Sequence, residues 1–303
     1  MTSLAPNNVL IKAMPAVFVL IWSTGFIVAK YGLPYAPPLS FLAIRYVFSL
    51  LCFLAWIAIA RVAWPGSRAQ WLHLGVTGIL IHAGYLSGVW SAIKGGMGSG
   101  LSALIVGLQP VLTAIWVSRM GDSSHSESRV SARQWLGLVL GLAGLLLVVS
   151  RKFGAGNEAT PYTLGFAVFA LLSITAGTLY QKRFVRAADV RSANAIQLAA
   201  ALLVTLPFIW LEAEPVQWTA EFVGALAWSV LALTLGGSSL LYILIQRGAA
   251  TAVTSLLYLV PPTTALMAWL LFGESITVVT VAGTALTALG VSLVVRPARR
   301  RVV

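Results

Sequence analysis

The stretch LYLVPPTTALMAWLLFGE, residues 257–274, decides how the chain is read. By hydropathy it is one long apolar helix ending at Gly273-Glu274, yet Pro261 and Pro262 stand side by side in its middle. Each proline removes a backbone N–H, and its ring collides with the carbonyl four residues back. Hydrocarbon holds no water to repair that loss. The stretch therefore predicts a membrane helix bent at Pro262, with its freed backbone turned toward protein or a water-filled cavity.

The rest of the chain is of the same kind. Of 303 residues, 59 % are hydrophobic and only 9 % charged, with a mean hydropathy of +0.90. A soluble domain carries roughly 25 % charged residues. One crossing of a bilayer core needs about 20 apolar residues. Ten such segments can be read, near 11–31, 39–60, 71–93, 97–118, 135–150, 163–181, 192–211, 222–245, 249–272 and 276–295. Almost nothing is left over for a soluble domain, so the function is expected inside the bundle. The first segment follows Lys12 as a signal peptide would, but it runs a full crossing and is read as retained. A single cysteine, Cys52, excludes an intrachain disulfide.

A net charge of +12 invites a nucleic-acid partner, and its distribution refuses one. With the N-terminus inside, fifteen of the twenty Lys and Arg fall at inner ends. Only Lys30, Lys94, Arg151 and Lys152 fall at outer ones, and Arg45 lies within a helix. That bias predicts both termini in the cytoplasm. The terminal RPARRR, 296–301, then reads as a topology anchor against the bilayer.

Shifting the sequence by 152 residues superimposes its halves. Gly25 meets Gly177, Lys30 meets Lys182, Arg45 meets Gln197, Gly84 meets Gly236, Pro110 meets Pro262, and Gly121-Asp122 meets Gly273-Glu274. After a longer loop the shift becomes 146, and Gly137 and Gly144 meet Gly283 and Gly290. Five helices per half is an odd number, so the second half enters from the opposite side. The prediction is an all-α polytopic membrane protein of ten helices. They form an inverted five-plus-five repeat, 1–151 and 152–303, around a central cavity. Such repeats serve alternating access.

Near the bilayer centre stand Trp22, Ser23, His82, Tyr85, Gln109, Thr175, Ser238, Tyr258 and Thr263, the candidate substrate-binding residues. Gly25, Gly84, Pro110, Gly177, Gly236, Pro261 and Pro262 are candidate hinge or gate positions, although proline kinks also serve packing. His82 is the ionisable side chain nearest the centre, either functional or simply bonded across helices. Trp22, Tyr85 and Tyr258 could stack on a flat substrate or pack the core. Trp90 and Tyr31 read as interfacial anchors. Lys30, Arg45 and Glu274 read as structural charges: the two cations snorkel to headgroups, or Arg45 pairs with Glu274. Gly137-x-x-x-Gly141 permits a close helix contact.

All eight acids fall in loops or at helix ends, so no core carboxylate is ready for sodium, for protons or for a cationic amine. Uncoupled transport is the expectation, with no cofactor, no metal and no catalytic residue. An intramembrane hydrolase built on Ser99 and His82 is the rival from another class. The GGMGSG stretch, 95–100, fits neither G-x-S-x-G nor the geometry a nucleophile and base require.

WSTGFIVAK (22–30), FLAIRYVF (41–48), SALIVGLQPVLTAIW (102–116) and TSLLYLVPPTTALMAWLLFGE (254–274) resemble the drug/metabolite transporter superfamily, EamA type, across essentially the whole chain. Within it the chain looks close to bacterial exporters of aromatic amino acids. The resemblance implies ten helices in two inverted halves and a cavity lined by helices 1, 3, 4, 6, 8 and 9. It carries over Gly25, Lys30, Arg45, Pro110, Pro262, Gly273 and Glu274; Asp122 departs from the pattern's Glu. The implied function is export of a neutral amino acid such as phenylalanine, tryptophan or tyrosine, with threonine or methionine as further substrates. A monomer in the lipid bilayer is expected, with no nucleic-acid partner. Another small metabolite or drug carried by the same fold is the alternative.

Overall fold

In hydrocarbon a backbone must bond to itself, and long Leu-, Ala- and Val-rich runs do so as helices. The computed structural model describes residues 8–120, 132–152, 158–240 and 259–295. Every regular element among them is helical. In chain order these are α1 (Asn8–Gly32), α2 (Pro38–Ala60), α3 (Arg68–Gly78), the π-helical π1 (Ile79–Gly84) and α4 (Tyr85–Lys94). Then come α5 (Ser99–Val106), α6 (Gln109–Met120), α7 (Ala132–Lys152), α8 (Pro161–Phe184) and α9 (Val190–Ile209). The last are α10 (Ala220–Trp228), π2 (Ser229–Gly237), α11 (Val260–Phe272) and α12 (Val278–Val295).

Five helices are long and apolar enough to cross a membrane: Pro38–Ala60, Arg68–Lys94, Pro161–Phe184, Val190–Ile209 and Ala220–Leu240. Shorter apolar helices accompany them, including Ser99–Thr113 and Val260–Phe272. Their ends are written locally. Ser67 caps α3 by accepting from the Gln70 N–H, Thr160 and Thr163 close a reciprocal capping box on α8, and Thr219 caps α10. Gly273, at φ 64°, ends α11 in the left-handed conformation that favours glycine.

The prolines do something different from a simple bend. Where one kinked helix is expected around Pro110, the chain breaks at Gly107-Leu108 and restarts as α6 with Pro110 in its first turn. Likewise Pro261 and Pro262 occupy the first turn of α11, where a missing N–H costs nothing. The two breaks touch: a Cβ placed on Gly107 would lie 2.9 Å from Pro261 Cγ. Pro261 is buried there and Pro262 is exposed.

Packing follows the small residues. Helices α7 and α12 cross so tightly that a Cβ on Gly290 would collide with the backbone of Gly137 and Gly141. One on Gly144 would collide with Gly283. Thr287 Oγ1 bridges that crossing by donating to the Gly141 carbonyl at 3.3 Å. The aromatic core is centred on Phe41, 4.4 Å from Trp90 and 5.3 Å from Phe222 by ring centroids. Trp90 is therefore no interfacial anchor: it is 1 % exposed, because it fills the gap beside Phe41. Tyr31 is exposed against Phe272, as an interfacial ring would be.

Candidate functional site

Polar chemistry gathers where α2 and α9 cross the two π-helical segments. The π turns widen the helix and release it from regular bonding, a feature common at functional sites. Arg45, on α2, points into this region and is 8 % exposed. Its Nε and Nη2 both donate to Thr234 Oγ1 on π2, at 3.1 Å each. Thr234 in turn donates to the Ser229 carbonyl five residues back, one turn of the π segment. The expectation for Arg45 thus fails in both forms. It neither snorkels nor meets Glu274, because its stem leads into the bundle and Thr234 supplies the nearest acceptor.

Facing it, His82 on π1 lies beside the side chain of Gln197 on α9. The neighbouring Tyr46 hydroxyl donates to the His82 carbonyl at 2.7 Å, with the two rings edge-on at 6.3 Å. Tyr85 is buried one turn further, and Tyr46, His82 and Tyr85 all lie within electrostatic reach of Arg45. A shift of 152 positions turns Arg45–Thr234 into Gln197–His82. The same operation turns the approach of Leu233 to Gly25 into that of Ile81 to Gly177. With a shift of 146, Gly144–Gly283 becomes Gly290–Gly137.

The other candidates divide. The Ser23 hydroxyl donates to Val19 O at 2.7 Å and that of Thr175 to Leu171 O at 2.6 Å, both buried within their own helices. Gln109 donates to Thr178 across the α6–α8 contact. Trp22 is half-buried against Phe18, its ring turned toward Gly237. Ser238 and Thr263 are half-buried, and Tyr258 lies outside the described residues. Gly84 holds its place because a Cβ would collide with Ser173, whose hydroxyl donates to Leu80 O on π1. Gly236 has more room, its nearest neighbour being Leu231 O at 3.3 Å.

One end of the bundle is locked by charge. Glu274 accepts from Lys30 Nζ at 2.7 Å and from the Ser99 N–H at 2.9 Å, tying α11 to α1 and to the start of α5. Lys30 also lies 5.0 Å above the Phe272 ring. Lys94 pairs with Glu214 at 2.5 Å, and Glu212 caps the start of α2 through the N–H groups of Leu39 and Ser40. Ser99, the nucleophile of the hydrolase alternative, donates its hydroxyl to Phe26 O at 3.0 Å. Beside Glu274 remains a cavity of about 20 Å³, room for roughly one water. At the opposite end a cavity of about 580 Å³ opens among Arg61, Gln70, Arg186 and Asp189. Neither is lined by the midplane candidates.

Sequence reading did not single out three members of this site as binding residues, Tyr46, Gln197 and Thr234, although Thr234 stands near the bilayer centre in helix 8. A signal for two of them was present, since the repeat places Gln197 opposite Arg45 and Thr234 opposite His82.

Known proteins share this chain's pattern. The model of the EamA-like transporter family matches it twice, over residues 13–150 and 162–296. The uncharacterized transporter YvbV of Bacillus subtilis is 26 % identical over 282 residues, 92 % of this chain and 89 % of its own. A probable amino-acid metabolite efflux pump of Salmonella typhimurium is 28 % identical over 191 residues, 63 % of this chain and 60 % of its own. A solved crystal structure at 20 % identity has the same fold, with a TM-score of 0.66 over 93 % of this chain and 95 % of that one. Matched in both halves, the apolar helical chain belongs to the EamA-like transporter family and is a membrane transporter.

Proposed function

We propose that the protein exports amino acids, most of all aromatic ones, across a bacterial inner membrane, with threonine and methionine as further substrates. The observation that carries this reading is the midplane cluster of Arg45, Tyr46, His82, Tyr85, Gln197 and Thr234, a polar and aromatic island in an apolar bundle. Its rings suit a flat side chain and its polar groups suit a zwitterion. The efflux-pump relative supports the amino-acid class.

The transport cycle is alternating access by a monomer. Two five-helix halves, 1–151 and 152–303, run in opposite directions through the membrane with both termini cytoplasmic. Contacts that recur under the repeat's shift support that arrangement. The positive-inside bias places Glu274 at the outer end, where its bonds to Lys30 and Ser99 hold the outer face shut. The breaks at Gly107-Leu108 and Pro261-Pro262 are the hinges, in contact with each other at the middle. Among the described residues every carboxylate lies outside a helix interior, which favours uncoupled flow down the substrate's own gradient.

Counterflow tests this. Proteoliposomes holding only the purified protein are loaded with unlabelled phenylalanine, tryptophan, threonine or lysine, and uptake of labelled phenylalanine is followed with and without a pH gradient. Aromatic amino acids are expected to drive counterflow, lysine is not, and the gradient leaves the rate unchanged. Counterflow with none of the four removes the amino-acid reading, and a rate that follows the pH gradient removes uncoupled flow.

A further inference from the structure

Arg45 is a cation buried in the membrane interior without a counter-ion. It stands seven residues into α2, about 10 Å from its start along the axis. Its guanidinium stays protonated under all ordinary conditions. Among the described residues no carboxylate pairs with it: Glu274 is held by Lys30, Glu214 by Lys94 and Asp189 by Arg191. The titratable groups around it are two tyrosines and a histidine. Its one bonding partner, Thr234 Oγ1, is neutral and receives two of its nitrogens. The third, Nη1, takes no acceptor among the described residues. Nor is it sealed away: among the described residues the buried polar atoms without a partner are the hydroxyls of Ser49, Ser102 and Ser229. Nη1 therefore keeps some accessible surface in a residue that is 8 % exposed.

A buried charge with an open donor is expensive to maintain unless something supplies the opposite charge. The position that the 152-residue shift places opposite Arg45 argues that the fold does not need the charge, since a neutral Gln197 fills it beside His82. We infer that Arg45 receives the anionic group of the transported molecule, so that the substrate class is a carboxylate whose free end docks on Nη1. The inference rests on the transport reading of this site and narrows it. Arg45 is the residue that makes the site prefer an acid over its amide, amine or ester. Guanidinium suits that task because its planar fork meets both carboxylate oxygens. Tyr46 and Tyr85, both buried, lie within electrostatic reach of the same guanidinium.

The test compares the purified wild-type protein with Arg45→Gln, which writes the second half's residue into the first, and with Arg45→Lys. Binding is followed by thermal shift and counterflow with phenylalanine, phenylalaninamide, 3-phenylpropionate and phenethylamine. Lactate, succinate and inorganic phosphate form a second panel. The wild type is expected to bind the two aromatic carboxylates about thirty-fold or more tighter than the amide and amine. Arg45→Gln is expected to remain folded and to bind all four within about threefold, the acid preference gone. Arg45→Lys keeps the charge and loses the fork, so it should weaken the carboxylates about tenfold and leave the amide unchanged.

Three results would overturn the inference. One is an acid preference that survives Arg45→Gln; another is a loss of all four ligands alike, the mark of a structural residue. The third is a wild type that binds no anion in either panel. If Arg45→Gln does not fold, Arg45→Lys decides by whether the carboxylates alone weaken. Failure of the amino-acid reading looks different. A wild type that ignores phenylalanine yet binds lactate, succinate or phosphate in an Arg45-dependent way keeps the inference and moves the substrate to other anions.

Discussion

Arg45–Thr234 and Gln197–His82 occupy equivalent places in the two halves, yet they solve the crossing differently. On the Gln197 side the helices are pressed together: a Cβ on Gly78 would collide with the Gln197 backbone. On the Arg45 side the position equivalent to Gly78 is Val230, buried at 5 % exposure, and the side chain spanning the gap is long and charged. One contact is tight and neutral, the other is looser and carries a cation. The proposed alternating access between two related halves would need such a difference. Substrate orientation requires the cavity's two sides to be chemically distinct, while exchange of shape requires them to be mechanically alike.

The largest effect should come from forcing one side into the other's form. Gly78→Val pushes a branched side chain into backbone that cannot yield, and should cost about 3 kcal/mol or more of stability. The reverse change at the looser side, Val230→Ala, leaves a small void and should cost about 1–2 kcal/mol. Thermal unfolding of the two proteins in detergent measures the contrast. Equal losses would mean that the crossings are equally tight, and the comparison would fall.

Next in size is the difference in charge. Thr234→Val keeps the shape and strips Arg45 of its acceptor, so it should cost about 2–3 kcal/mol. Gln197→Leu removes a neutral polar contact with His82 and should cost under about 1 kcal/mol. A smaller penalty at Thr234 than at Gln197 would say that the guanidinium finds another partner at no cost. The charges at the bundle's end supply the control, because they are paired. Glu274→Gln loses the Lys30 pair but can keep an acceptor for the Ser99 N–H, which limits the loss to about 1–2 kcal/mol. Lys30→Met should cost under about 1 kcal/mol, since Lys30 is 33 % exposed and screened by water. Both values should shrink in high salt, whereas the Thr234 effect should not.

The helices and the glycine contacts were legible because hydrophobic length and glycine spacing are one-dimensional signals. The crossing of α7 and α12 at Gly137, Gly144, Gly283 and Gly290 follows directly from them. The prolines were legible as interruptions but not as helix starts, since a kink and a break have the same sequence and differ only in what Gly107 leaves room for. Trp90 misled because its position near a helix end suits an anchor, and only the placement of Phe41 encloses it. The π-helical turns left no local signature beyond Gly84 and Gly236. Arg45 was read as snorkelling because a lone charge in an apolar helix usually escapes to headgroups. What keeps it inside is Thr234, nearly two hundred positions away.

The smallest prediction concerns Arg191, the counterpart of Arg45 in water. Its guanidinium binds Asp189 at the start of α9, Nε to Oδ1 at 2.9 Å and Nη2 to Oδ2 at 2.8 Å. Asp189 also caps the helix through the Arg191 N–H. The side-chain hydrogen bonds from Arg191 hold this carboxyl below its ordinary value of 3.8, with the backbone bond and the Arg191 charge adding to them against a weaker effect of burial. A depressed acid stabilises the fold above that ordinary value and loses its effect as the pH falls through the depressed one. Asp189→Asn should therefore be less stable than the wild type at pH 7, by under about 1 kcal/mol for so exposed a pair. The gap should stay flat down to about pH 4 and close below it. Melting temperatures of the two proteins between pH 7 and pH 3 would trace that curve. A gap already closing near pH 6 would show that a different group titrates there. A gap of several kcal/mol would mean that an exposed, paired arginine matters as much as the buried, unpaired one, and charge pairing would no longer distinguish the two environments.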